Sequence, residues 1–169
     1  MTTSSNLYTL SYSQAKTYLL VLLFVIGNVA LPQLCHLIPS GGAMLLPIYF
    51  FTLIAAYKYG WKAGLLTALL SPLANHLLFG MPNAVMLPVV LTKSVLLAVA
   101  AGWAAAHFKR VTLPILIAVV LCYQAIGTLA EWAWTGSLAM AWEHLRLAVP
   151  GMIIQMVACY FIVGKWLKN

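Results

Sequence analysis

The stretch "MPNAVMLPVVLTKSVLLAVAAGW", residues 81–103, decides how the chain is read. It is an apolar run long enough to cross a bilayer, with Lys93 about ten residues from either end. An ammonium at that depth costs roughly 2.5–3.5 kcal/mol even on a lenient insertion scale. The lysine must therefore have a use or a partner.

The rest of the chain supports a bilayer as its solvent. Of 169 residues, 64% are hydrophobic and 7% are charged, against about 25% charged in a soluble domain. That leaves too few polar side chains for a water-facing surface. The net charge of +7 does not point to nucleic acid. The basic residues punctuate the gaps between apolar runs rather than clustering, as membrane topology requires. Cys35, Cys122 and Cys159 fall in or beside apolar runs without pairing or C-x-x-C spacing, and read as small buried hydrophobes. The polar residues 1–16 lead into an apolar run too long for a signal-peptide core, with no small-residue cleavage site after it. That run reads as an uncleaved first span.

Six runs approach the length needed to cross about 30 Å of hydrocarbon. They lie at 17–37, 43–58, 61–79, 84–107, 113–136 and 146–166. The expected fold is an all-α integral membrane protein, a six-transmembrane-helix bundle forming one domain over 1–169. Lys16, Lys58, Lys62, Lys109, Arg110, Lys165 and Lys168 fall on one side of these spans, and only Arg146 on the other. The positive-inside rule then places both termini in the cytoplasm. Trp61, Trp103 and Trp166 mark the inner interface; Trp132, Trp134 and Trp142 mark the outer one.

Several residues do not belong in lipid. At helical steps from Lys93 stand Met86, Val89, Leu97, Ala100 and Ala104, and the small ones suit close helix packing. Lys93 should therefore point into the bundle. Glu131, near the outer end of the fifth span, is one of only two acids, and an intramembrane acid is a functional candidate by default. The other acid, Glu143, stands three residues from Arg146 and reads as half of a surface ion pair. Toward the outer side also gather Asn28, His36, Asn75, His76, Asn83 and His144, with Gln124 and Gln155 deeper.

Together these describe an outward pocket with polar anchors and aromatic walls. The candidate substrate-binding residues are Lys93, Glu131, Trp132, Trp134, Asn75, His76, Asn83, His36, Trp142 and Gln155. Lys93 suits an anionic or carbonyl group, Glu131 an amine or protonated ring nitrogen, and the tryptophans a flat ring. A heterocyclic vitamin or modified base fits these better than a sugar or lipid. Lys93 should meet either the ligand or Glu131. The sequence puts Glu131 a good deal nearer the outer surface, which favours the ligand. No histidine pair has ligand spacing on one helix, so no metal is expected. No nucleophile motif, cofactor motif or P-loop occurs, so the chain reads as a non-enzyme whose ATP use would come from a partner.

The six short-looped runs, the cytoplasmic termini and the outward pocket resemble the substrate-binding S components of energy-coupling factor (ECF) transporters. The turn "YKYGWKAG", residues 57–64, is similar to the glycine-containing cytoplasmic turn of that family. "LIPSGGAMLLP", "LLFGMP" and "VPGMIIQMV" resemble its outer loops and the start of its last span. The chain departs from the family at the A-x-x-x-A docking motif, where the first span offers only Gly27 and Ala30. Small residues instead line the third span at Ala63, Thr67 and Ser71, and at Gly64 and Ala68. It also begins "MTTSSN" rather than with the Met-His of the metal-transporting members. The resemblance implies capture of a vitamin-like micronutrient at the bacterial cytoplasmic membrane, with no cofactor. It also implies a membrane scaffold subunit and two ATPase subunits as partners. The competing readings are a six-span scaffold or morphogenesis subunit without a small-molecule substrate, and an intramembrane enzyme.

The charge pattern predicts that the 109–110 turn is cytoplasmic and residue 82 is outside. Single cysteines introduced at each position, in a background lacking native cysteines, should label from outside at 82 and not at 110. The reverse pattern would invert the topology.

Overall fold

The computed structural model describes residues 10–37 and 39–166, with side chains up to Gly164. Lys168, the opening "MTTSSN" and the side chains of Lys165 and Trp166 lie outside the described residues. The chain is all-helical there. Its helices are α1 (Ala15–Cys35), α2 (Gly41–Leu45), α3 (Pro47–Tyr59), α4 (Trp61–Phe79), α5 (Leu87–Phe108), α6 (Leu113–Thr135), α7 (Leu138–Leu147) and α8 (Val149–Phe161), the last running into a π-helical turn at Ile162–Trp166.

Proline and glycine set these boundaries. Pro47, Pro88, Pro114 and Pro150 each sit in the first turn of α3, α5, α6 and α8. There the missing N–H is no loss and the fixed φ suits a helix. Gly60, at φ 91°, is the whole connection between α3 and α4. A residue with a Cβ would be strained there.

α1, α5 and α6 are each long and apolar enough to span a membrane, as is the α2–α3 segment taken as Gly41–Tyr59. The α7–α8 segment makes a fifth span if its two parts, bent by 45°, are counted as one. α4 has 19 residues but falls short of the same apolarity, since Lys62, Asn75 and His76 dilute it. Among the described residues there are thus four or five candidate spans, and the expected count of six is not reached. The boundaries differ too. The second span is broken at Leu46, whose φ is 50°. The fourth begins at Leu87 rather than 84, because residues 83–86 form a turn in which Asn83 Oδ1 accepts the Met86 N–H at 2.9 Å. The last begins with α7 rather than at 146. There the Ser137 side chain caps the helix by accepting from Met140 N.

α3 is the axis of the bundle and packs on α1, α4, α5 and α8. Leu53, Ile54, Ala55, Ala56, Tyr57 and Lys58 are all buried. Two glycines let neighbours approach closely. A Cβ on Gly64 would lie 2.4 Å from Ala56 Cβ, and one on Gly102 would lie 2.4 Å from Trp61 Cβ. The α3–α4 and α5–α6 turns share the near end of the bundle, where the Tyr57 hydroxyl donates to the Arg110 carbonyl at 2.8 Å. The connecting residues 36–37, 39–46, 80–86 and 136–137 share the far end.

A polar knot joins α1, α3 and α4 in the far half. Pro32 lies inside α1 and has no N–H to give the carbonyl of Asn28, four residues earlier. Asn75 Nδ2 takes that acceptor at 2.9 Å. The Asn28 side chain donates to Thr52 Oγ1 at 3.1 Å and Ser71 Oγ at 3.0 Å, and accepts the Phe51 N–H at 3.1 Å. A helix-breaking residue is thus accommodated without an orphaned carbonyl.

Gly64→Ala should force α3 and α4 apart, since its nearest neighbours would be the Cβ and backbone Cα of Ala56, neither of which can rotate away. The expected loss is roughly 1–3 kcal/mol, read as a lower thermal midpoint in detergent. An unchanged midpoint would contradict this helix spacing.

Candidate functional site

The chemistry of the far half is organised by one strip of α6. Gln124, Thr128 and Glu131 recur at helical spacing and are all buried. Gly127 lies within the same strip. It leaves room for the Lys93 stem, whose Cγ lies 2.6 Å from where a Cβ on Gly127 would stand. Lys93 thereby crosses α6 and places its Nζ 2.5 Å from Glu131 Oε2. The other carboxylate oxygen, Oε1, is hydrogen-bonded to His144 Nδ1, reaching in from α7. The ammonium of Lys93 can only donate, whereas the direction of the His144 hydrogen bond follows the imidazole tautomer.

Glu131 is 1% exposed and Lys93 8%. Each would be costly alone in a bilayer; together they satisfy each other. The sequence suggested well-separated depths. The later start of α5 narrows that gap. Lys93 is six residues into α5 and Glu131 four from the end of α6, or about 9 and 6 Å along their axes at 1.5 Å per residue. Lys93 therefore meets Glu131.

A cavity of about 240 Å³ opens beside this group, lined by Tyr49, Lys93, Gln124, Glu131 and His144 among others. A second, of about 300 Å³, is lined by His36, Asn75, Asn83 and Pro82, and shares Gly42, Ala43, Ile48, Met86 and Val90 with the first. The two are neighbouring lobes of one far-end recess. Its wall includes the break at Leu46, non-helical backbone of a kind tolerated at membrane depth where it lines a cavity. The Leu46 carbonyl accepts from Gln155 Nε2 at 3.1 Å, and Gln155 Oε1 accepts from the Tyr123 hydroxyl at 3.1 Å. The Tyr123 ring in turn packs 5.8 Å from that of Tyr49.

The sequence-predicted residues therefore divide. Lys93 and Glu131 line the first lobe; His36, Asn75 and Asn83 line the second. His76 is not a lining residue and bonds the Pro82 carbonyl through Nδ1 at 2.7 Å. Gln155 stands behind the wall and holds the Leu46 break. Trp132, Trp134 and Trp142 are 44%, 63% and 61% exposed and line neither lobe. Their helix faces turn them outward, so the aromatic wall expected of them is not there. Tyr49 is the aromatic side chain at the first lobe, and no local sequence signal marks it. His144 and Gln124 were legible only as outer polar residues. The Gln124–Glu131 spacing was the available sign that they belong together. Glu143 and Arg146 lie 3.9 Å apart on the exposed face of α7. Among the described residues no group of three or more His, Cys, Asp or Glu could hold a metal ion.

No protein-family model, curated protein or solved structure matches the chain.

Removing either member of the buried pair should destabilise the fold by about 3–5 kcal/mol, because the other charge is left uncompensated. Lys93→Met combined with Glu131→Gln should recover much of that loss. Thermal unfolding of both single variants and the double variant measures the coupling. Strict additivity would mean that the two side chains do not depend on each other.

Proposed function

We propose that the chain is the substrate-binding subunit of an ECF-type importer, capturing a small polar, vitamin-like micronutrient in its far-end recess. The observation that carries this reading is a recess at membrane depth lined by charged and amide side chains that a purely structural bundle would not require. Lys93, Glu131 and His144 stand at one lobe with Gln124, while Asn75, Asn83 and His36 stand at the other. Intramembrane polar groups gathered on a cavity are the usual mark of a substrate site.

In this reading the bundle sits in a bacterial cytoplasmic membrane with six spans, α4 among them. Both termini face the cytoplasm and the far end faces out, as the loop lysines and arginines support. A membrane scaffold subunit and two ATPase subunits supply the energy. The chain itself performs no chemistry. Tyr49, in place of the tryptophans, then offers the flat surface for a heterocyclic ligand. A six-span scaffold subunit remains the contrasting reading, and it would carry no ligand.

Purified protein should release a small molecule on denaturation, detectable by mass spectrometry in near-stoichiometric amount. The folded protein stripped of it should be stabilised on adding it back. A ligand at a hundredfold its Kd stabilises by about 2.7 kcal/mol, a readily measured shift in thermal midpoint. A folded protein that releases nothing, and that no water-soluble vitamin stabilises, would leave the scaffold reading in its place.

A further inference from the structure

The first lobe holds a recognition group that the ion pair does not use. Gln124 is 2% exposed and lines the cavity. Neither its Nε2 nor its Oε1 has a hydrogen-bond partner in the protein. Leaving a buried polar atom unsatisfied costs as much as losing a hydrogen bond, and a primary carboxamide presents a donor and an acceptor side by side. The group that answers both at once is another amide edge, with N–H and C=O adjacent and syn.

The one carboxylate at the lobe is already engaged. Lys93 and Glu131 neutralise one another, and both carboxylate oxygens are occupied by Lys93 and His144. A cationic ligand would find no free carboxylate in this lobe. A carboxylate would also lack the N–H that Gln124 Oε1 needs. Gln124 lies seven residues before Glu131 on the same helix, or about 10.5 Å deeper along its axis, so its amide sits toward the inner end of the lobe.

Resting on the importer reading above, we infer that the lobe takes a neutral ligand bearing an amide edge (a lactam, cyclic urea, imide or carboxamide), and that Gln124 reads that edge through paired hydrogen bonds. Gln124 is then the specificity-determining residue, while the Lys93–Glu131–His144 group shapes and closes the lobe.

The test compares two probes of one ring size. δ-Valerolactam has the edge; cyclohexanone keeps the carbonyl and lacks the N–H. Each is titrated by ligand-observed NMR into nanodisc-embedded protein washed free of small molecules, in the wild type and in Gln124→Leu. The wild type should prefer the lactam by about tenfold, the scale of one buried hydrogen bond. Gln124→Leu should erase that preference. Exchanging an unpartnered buried amide for an apolar side chain is near neutral or stabilising, and Gln124→Met replaces the variant if Leu fails to fold. Equal binding of the two probes by wild type, or a preference that survives in the variant, overturns the inference while leaving an importer that recognises its cargo otherwise. A bound natural molecule without an amide edge does the same. If the folded wild type binds neither probe and releases no natural molecule, both the inference and the importer reading fall.

Discussion

The carboxylate of Glu131 is the constraint on which the far half of the bundle depends. It is held from two sides, by the Lys93 ammonium on α5 and the His144 imidazole on α7, while its own helix is α6. Three helices are therefore tied through one side chain. In a low-dielectric interior such a tie is stronger than the same contact in water when its groups are hydrogen-bonded. Here both oxygens are used, and Gly127 provides the clearance that lets the lysine reach. α7 buries only Ala141 of its ten residues. The contact with Glu131 is therefore a principal polar hold on the segment that covers the cavity.

The opposite wall is held by neutral hydrogen bonds rather than charge. Pro32 frees a carbonyl, Asn75 takes it, and the Asn28 amide spans to α3 and α4. Leu46 breaks the second span, and Gln155 adds a second donor to its carbonyl beside the Tyr49 N–H. In each case an irregularity in a helix is matched by a carboxamide from a neighbouring one. Irregular backbone and polar side chains thus occur together because one answers the other. The recess lies where the helices are least regular.

The sequence made much of this legible. Apolar runs gave the all-helical class, and helical spacing gave Lys93 its inward direction. The two acids separated cleanly into a buried Glu131 and a surface Glu143. What failed did so for physical reasons. The depth of Lys93 was misjudged because residues 84–86 are apolar yet turn, so hydropathy alone ran the helix on too far. The three tryptophans were legible as interfacial, but composition does not say which face of a helix an aromatic occupies. The break at Leu46 was marked only by Pro47 after it, since a leucine at positive φ is dictated by its surroundings rather than by its own preference. Gln155 looked like a ligand group because a buried amide that mends a helix and one that meets a ligand are the same residue type.

The short turn between α5 and α6 bears on how the chain first enters a bilayer. Lys93 is made before Glu131, and the two are joined by one hairpin whose turn spans residues 109–112. Inserted singly, α5 would carry an uncompensated ammonium into hydrocarbon and α6 an uncompensated carboxylate, at roughly 2.5–3.5 kcal/mol each. Inserted together, they carry a neutral pair. The lowest-energy course during synthesis is therefore for α5 to wait at the interface until α6 has emerged, and for the two to enter as one unit.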